Sequence, residues 1–300
     1  MAAPASPVAL SSVSRALTAL TAVASGVLGV LLYVAPPWAA PRFAWQVTEL
    51  MVMSIGAWFL GNCLWATRIV LDWRWARWSS SLVYLWAFGL LQSVVLLAFR
   101  HKVVTDTPLA LFYLCVIGLM VVAAVVGVAD VVRLRPRWTD AGPPMPRWLQ
   151  VAVIVFICFT GFLFAVAILR PSAAVGGHVF PETMTPLTVR TFGVYFLTLA
   201  LSALVVLVGR RLAPLLVHIE GGIGITVPIL VASLVYLGVF DFGAHPGQWI
   251  YLGAYVVFLL VAIPTVVHYR RAGLPEGAAA RRAGTGAHSA VSRSAQGPYE

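Results

Sequence analysis

Eight stretches of this chain run for about twenty residues with almost nothing but apolar side chains, the length a helix needs to cross a hydrocarbon core of roughly 30 Å. They fall at Ala16 to Ala35, Leu50 to Thr67, Ser80 to Phe99, Pro108 to Val128, Trp148 to Leu169, Leu187 to Val208, Val217 to Phe240 and Trp249 to Val267. Inside lipid the backbone must satisfy its own hydrogen bonds, so each stretch is expected to be α-helical. The expected fold is therefore all-α: a polytopic membrane protein whose eight transmembrane helices form two parallel four-helix repeats. Of 20 basic and 10 acidic residues only Arg190 and Glu220 fall inside these limits, as the cost of a charge at mid-depth requires. At 10% charged residues the chain has too little polar surface to coat a globule in water, where about 25% is usual. That excludes a disordered protein, a disulfide-stapled secreted module and an ordinary soluble enzyme.

Charge tests the topology separately from hydropathy, because basic residues accumulate on the cytoplasmic side. Fifteen of them fall in one set of alternate segments, that of Arg15, Arg68, Arg133, Arg210 and Arg270, against Arg42, Arg100, Lys102 and Arg170 in the other. Both termini are thus read as cytoplasmic, which requires an even number of crossings. The basic residues are scattered between spans rather than gathered on one soluble face, so no nucleic-acid partner is expected. Nineteen of the 20 are Arg, which with abundant Ala points to a GC-rich bacterial genome and hence to a plasma membrane. The chain divides into a cytoplasmic segment 1–15, a first repeat 16–135, a linker 136–147, a second repeat 148–270 and a disordered tail 271–300. Tryptophans flank the spans at the headgroup level. The segment Asp72 to Trp78, DWRWARW, reads as a short interfacial loop, with a helix lying flat on anionic lipid as the alternative. The apolar run after Arg15 is too long for a signal peptide, and Cys63, Cys115 and Cys158 lie in separate spans and make no paired framework.

Sliding the chain along itself aligns Ser25 to Pro36 with Thr160 to Pro171, and Val131 to Arg135 with Val266 to Arg270, both at an offset of 135 residues. The second helices align at 137, Thr48 to Leu60 with Thr185 to Leu197. An even number of crossings per half makes the repeats parallel, with an axis along the membrane normal. Thr48 and Thr185 are placed to accept from backbone N–H groups at the start of their helices, and Pro186 suits the first helical position. The TPLT-x-R-x-x-G-x-Y pattern at Thr185 to Tyr195 resembles one found in uncharacterised multi-span membrane proteins of high-GC bacteria, a likeness that implies no activity. The first half departs from it at Glu49 and Met53.

A guanidinium one turn below the outer surface must snorkel or find a carboxylate, so Arg190 is expected to form a structural ion pair with Glu49 or with Glu182. An anion site is the alternative. Glu220 lies in a glycine-rich stretch before Pro228. It is either a cation or proton site or an interfacial carboxylate, neutral or paired with arginine; the third helices align in two ways that leave its depth open. With Asn62, Gln92 and Thr226 it marks a candidate polar site at the seam between repeats. His218 and His268 share a side, but no spacing supports haem or metal there. Ser25 with Gly29, and Ala57 with Gly61, form small faces for close helix packing. No catalytic motif is present, and neither cofactor nor metal is expected. The leading reading is a permease-like protein that passes or senses a small solute or lipid at the seam. The alternative is a non-catalytic scaffold or accessory subunit that docks on other membrane proteins; a membrane-embedded enzyme has least support. Membrane lipid is a partner in every case.

Overall fold

The computed structural model describes residues 10–136, 142–169 and 184–272. Among them are eight long helices, each long and apolar enough to cross a membrane: α1 (Ser12–Val34), α2 (Glu49–Leu71), α3 (Trp75–Ala98), α4 (Pro108–Leu134), α5 (Arg147–Leu169), α6 (Pro186–Gly209), α7 (Leu212–Val235) and α8 (Gln248–Arg271). Glu182, Trp138 and the tail from 273 lie outside the described residues.

The helix starts are written in hydroxyl side chains. Ser11, Thr48, Thr107 and Thr185 each accept from a backbone N–H three residues on, satisfying a donor that the first turn leaves open. Several helices run past the limits that charge suggests. Helix α2 continues through Arg68 to Leu71, because arginine is a good helix former whose stem covers apolar surface while its head reaches water; α7 begins at Leu212, with Pro214 in the first turn, where a missing N–H leaves no helix bond unmade. Of the DWRWARW segment only Asp72 to Arg74 form a short connection, and no helix lies flat there. Asp72 closes α2, and Trp75 already opens α3.

Helix α2 is the most enclosed, packed along α1 on one side and α7 on another. It approaches α1 at Gly56 and Gly29: a Cβ at Gly29 would lie 2.8 Å from the Leu60 nitrogen, and one at Gly56 would lie 2.9 Å from that of Tyr33. Only glycine allows such contact between backbones. Helix α3 contacts α4, α6 and α7; α1 also packs on α4, α5 on α6, and α8 on α7. The centre, where α2, α3, α6 and α7 meet, is filled by aromatic rings. Trp58 stacks on Tyr195 at 4.3 Å between centroids, with Phe192 at 4.5 Å and Phe88 at 6.3 Å.

Several tryptophans expected at the lipid interface face protein instead. Trp45 is 2% exposed and donates to Thr188 Oγ1 at 3.0 Å; Trp73 donates to the Leu10 carbonyl and Trp78 to Asp72. Trp38, Trp148 and Trp249 are exposed and suit the interfacial role. An indole N–H is one donor on a large apolar body, so a loop acceptor at the bundle end serves it as well as a headgroup does.

Candidate functional site

Helices α7 and α8 carry Glu220 and Arg270 to the arginine-rich end of the bundle, where α2 delivers Arg68. Arg270 Nε and Nη2 donate to Glu220 Oε1 at 2.8 and 2.6 Å, and Arg68 Nη1 is paired with Oε2. Both carboxylate oxygens are held by guanidinium groups, which leaves no open face for a cation. The three helices are thereby tied at one point.

The other polar residues that the sequence singles out do not converge on Glu220. Asn62 is fully buried on α2, with neither amide atom hydrogen-bonded among the described residues; Gln92 on α3 donates to the Thr191 carbonyl at 3.1 Å. Thr226 faces another space, described below. Arg190 and Glu49 are not joined either: Glu49 Oε2 accepts from Tyr236 at 2.9 Å, and Arg190 Nε is enclosed without a hydrogen-bond partner among the described residues. The tyrosine on α7 reaches Glu49 where α2 and α7 lie side by side, and Arg190 stands on α6. His218 is packed against the Trp65 ring at 5.6 Å and His268 against Tyr269 at 4.9 Å, so the two histidines share no site. Among the described residues no group of His, Cys, Asp and Glu is gathered to hold a metal.

A large space lies between α5, α6, α7 and α8, a cavity of about 610 Å³. Its wall is aliphatic and aromatic, from Leu149 and Leu215 near the arginine-rich end to Thr160, Tyr195, Thr226 and Ile250 farther out. Two wall hydroxyls turn back on their own helices, Thr160 to the Phe156 carbonyl at 2.8 Å and Thr265 to that of Val261 at 2.7 Å. That commits the one donor of each hydroxyl to its own helix. Helices α5 and α8 approach each other at Phe156 and Phe258, 6.1 Å between centroids, but otherwise stand apart. Val155 and Val257 on this rim are 62% and 60% exposed, so the opening faces lipid. His218 lines the same space, 8% exposed, with no partner for Nδ1 among the described residues.

A corresponding space in the α1 to α4 half is almost closed, at about 10 Å³ between Thr18, Thr21, Leu85, Trp86, Met120 and Ala123, barely room for one water. The Trp86 ring presses on Gly127, where a Cβ would lie 2.1 Å from it. Above this point α1 and α4 are clasped by Asp130, whose Oδ2 accepts from the Ser11 N–H at 3.0 Å, from the Ser14 hydroxyl at 2.5 Å and from the Ser11 hydroxyl.

Neither the cavity nor the clasp was marked by sequence reasoning, which followed polar residues inside spans. The available signal was the absence of a clasp: at the 135-residue offset Ser14 and Asp130 fall on Leu149 and Thr265. No known protein family, no curated protein and no solved structure matches this chain.

Proposed function

We propose that this integral membrane protein binds lipid, holding one hydrocarbon chain of a membrane lipid in the cavity among α5, α6, α7 and α8. The observation that carries the reading is that cavity: about 610 Å³, apolar and open sideways between α5 and α8. Its volume lies in the range of roughly 300–1,000 Å³ typical of small-ligand sites. Phe156 and Phe258 meet across the opening, 6.1 Å between centroids, a constriction that suits a slender chain better than a partner's helix about 10 Å across. Docking on another membrane protein is the weaker reading for this site. Passage of a polar solute along the central seam is weaker again, since aromatic rings fill it and Glu220 is fully paired.

The duplication read from the sequence supports the same view. At the 135-residue offset Thr18, Thr21, Met120 and Ala123 fall on Val153, Phe156, Tyr255 and Phe258, all of which line the large cavity. On this reading one ancestral location has been closed in the first half by Trp86 and the Asp130 clasp, and kept open in the second.

Photo-crosslinking with a phospholipid bearing a diazirine on its acyl chain tests the reading. Label is expected on peptides of α5 and α8. Gly253 lines the cavity and a Cβ there meets nothing within 4 Å, so Gly253→Leu should fill space without a clash and cut labelling several-fold. Gly118→Leu, placed in equally open surroundings on α4, should leave it unchanged. Equal labelling of both variants would reject the assignment.

A further inference from the structure

We infer that the bound lipid is an anionic glycerophospholipid, its phosphate held by arginines at the ends of the four helices that line the cavity; this rests on the lipid-binding reading above. Each of those helices terminates in arginine at the same end of the bundle: Arg147 opens α5, Arg210 and Arg211 join α6 to α7, and Arg270 and Arg271 close α8. Cavity wall follows within a few residues of each, at Leu149, Val206, Leu215 and Thr265. Beneath the arginines a small separate core of Leu149, Val206, Leu215 and Tyr269 with their neighbours holds the four ends together.

Charge at this rim is unbalanced. Glu220 is committed to Arg68 and Arg270, and Arg211 donates to the Gly142 carbonyl at 3.2 Å. Arg147, Arg210 and Arg271 are exposed and make no ion pair among the described residues. A phosphate with guanidinium groups on several sides gains charge-assisted, bidentate hydrogen bonds, and basic sites between helix ends at one membrane face recognise anionic lipids on that ground. Free phosphate would use the arginines alone. The cavity that continues below them, its wall mostly apolar, favours a phosphate that carries a chain.

His218 adds a feature that points into the site. It lies six residues into α7, about 9 Å along the helix axis from its start, and its Nδ1 lacks a partner among the described residues although the ring is nine-tenths buried. An unpaired polar atom at that depth is costly. The ester and glycerol oxygens of a lipid whose phosphate sits among the arginines and whose chain runs outward toward Ile250 lie at the level of this ring.

The full chain in nanodiscs of equal phosphatidylglycerol and phosphatidylcholine, released into native mass spectrometry, tests the proposal. Wild type is expected to retain phosphatidylglycerol at least about tenfold over phosphatidylcholine. Arg147→Gln, Arg210→Gln and Arg271→Gln should each reduce that preference about fivefold, the effect of one basic residue at an anionic surface. Arg133→Gln with Arg135→Gln, at the same face but on α4, should leave the preference intact. Equal retention of both lipids by wild type, with loss of both in Gly253→Leu, would overturn the headgroup assignment and leave chain binding standing. A preference that survives all three rim substitutions, or that falls equally with the α4 pair, would overturn it as well. Retention of neither lipid would reject both inferences.

Discussion

Removing the carboxylate of Glu220 would leave Arg68 and Arg270 facing each other across the joint of α2, α7 and α8. An ion pair broken from one side costs more than the intact pair contributes, because the remaining charges lose their solvation and their partner together. The side chain of Glu220 is 13% exposed, but those of Arg68 and Arg270 are 46% and 34% exposed, so water recovers part of the loss. Glu220→Gln is expected to lower unfolding stability by about 2 kcal/mol, the middle ground between surface and buried pairs. Arg68→Gln should cost less, since Arg270 keeps two N–H donors on the carboxylate. Thermal unfolding in a mild detergent checks the order. Two substitutions of equal effect would show that the three helices are not tied through this carboxylate. The sequence left Glu220 as either a cation or proton site or an interfacial carboxylate, neutral or paired with arginine; its partners are arginines 152 positions before it and 50 after it, a distance over which no local pattern carries information.

At the scale of helices and their joints, the Asp72 corner between α2 and α3 sets a pH dependence of its own. Burial raises the Asp72 carboxyl, but hydrogen bonds from Arg74 and Trp78, with the charges of Arg74 and Arg77, outweigh it and hold the group below its ordinary value. The folded state therefore binds this proton less readily than the unfolded chain does. Its stabilisation is complete above the ordinary carboxylate pKa of about 3.9 and is lost as pH falls through the lower, folded value. Comparing wild type with Asp72→Asn in thermal unfolding from pH 6 to pH 3 should show a gap that is constant at the upper end and narrows below about pH 4. A gap that widens toward acid would reverse the sign and reject the argument. The helices themselves were the most legible part of the molecule. Apolar length fixed eight spans, and Thr48 and Thr185 marked two starts by hydroxyl chemistry that operates within one turn. The ends were less legible. Arginines such as Arg68 read as loop yet continue the helix, and Trp45, Trp75 and Trp78 read as lipid anchors yet are turned inward. Exposure to lipid and burial in protein draw on the same apolar side chains, so composition cannot separate them.

For the whole molecule, the cavity arises from the spacing of α5 and α8, a property to which no single residue type belongs. Its wall of Val, Leu, Phe and Ala would look the same on a helix facing lipid, which is why polar residues such as Asn62 and Gln92 drew attention to a seam that the structure fills. On the proposed duplication the difference between α1 to α4 and α5 to α8 traces to three positions, and these can be transplanted. Ser11, Ser14 and Asp130 hold α1 to α4; the matching Pro146 lacks the N–H, Leu149 lacks the hydroxyl, and the Thr265 hydroxyl is spent on its own helix. Thr265→Asp alone places an unpartnered carboxylate at a position 6% exposed and should destabilise by about 3 kcal/mol or more. Adding Pro146→Ser and Leu149→Ser supplies the missing donors, and hydrogen bonds to a charged group contribute about 1.5–3 kcal/mol each. The triple variant should therefore regain most of that stability through a coupling the serines cannot produce without the aspartate. Because the donors stand on α5 and the acceptor on α8, regained stability means that the two helices have closed. Chain labelling in the cavity should then fall several-fold in the triple variant while the fold is retained. Recovery of stability without loss of labelling would separate the lipid from this cavity, and absence of coupling would show that spacing in the second half is set by something other than the missing clasp.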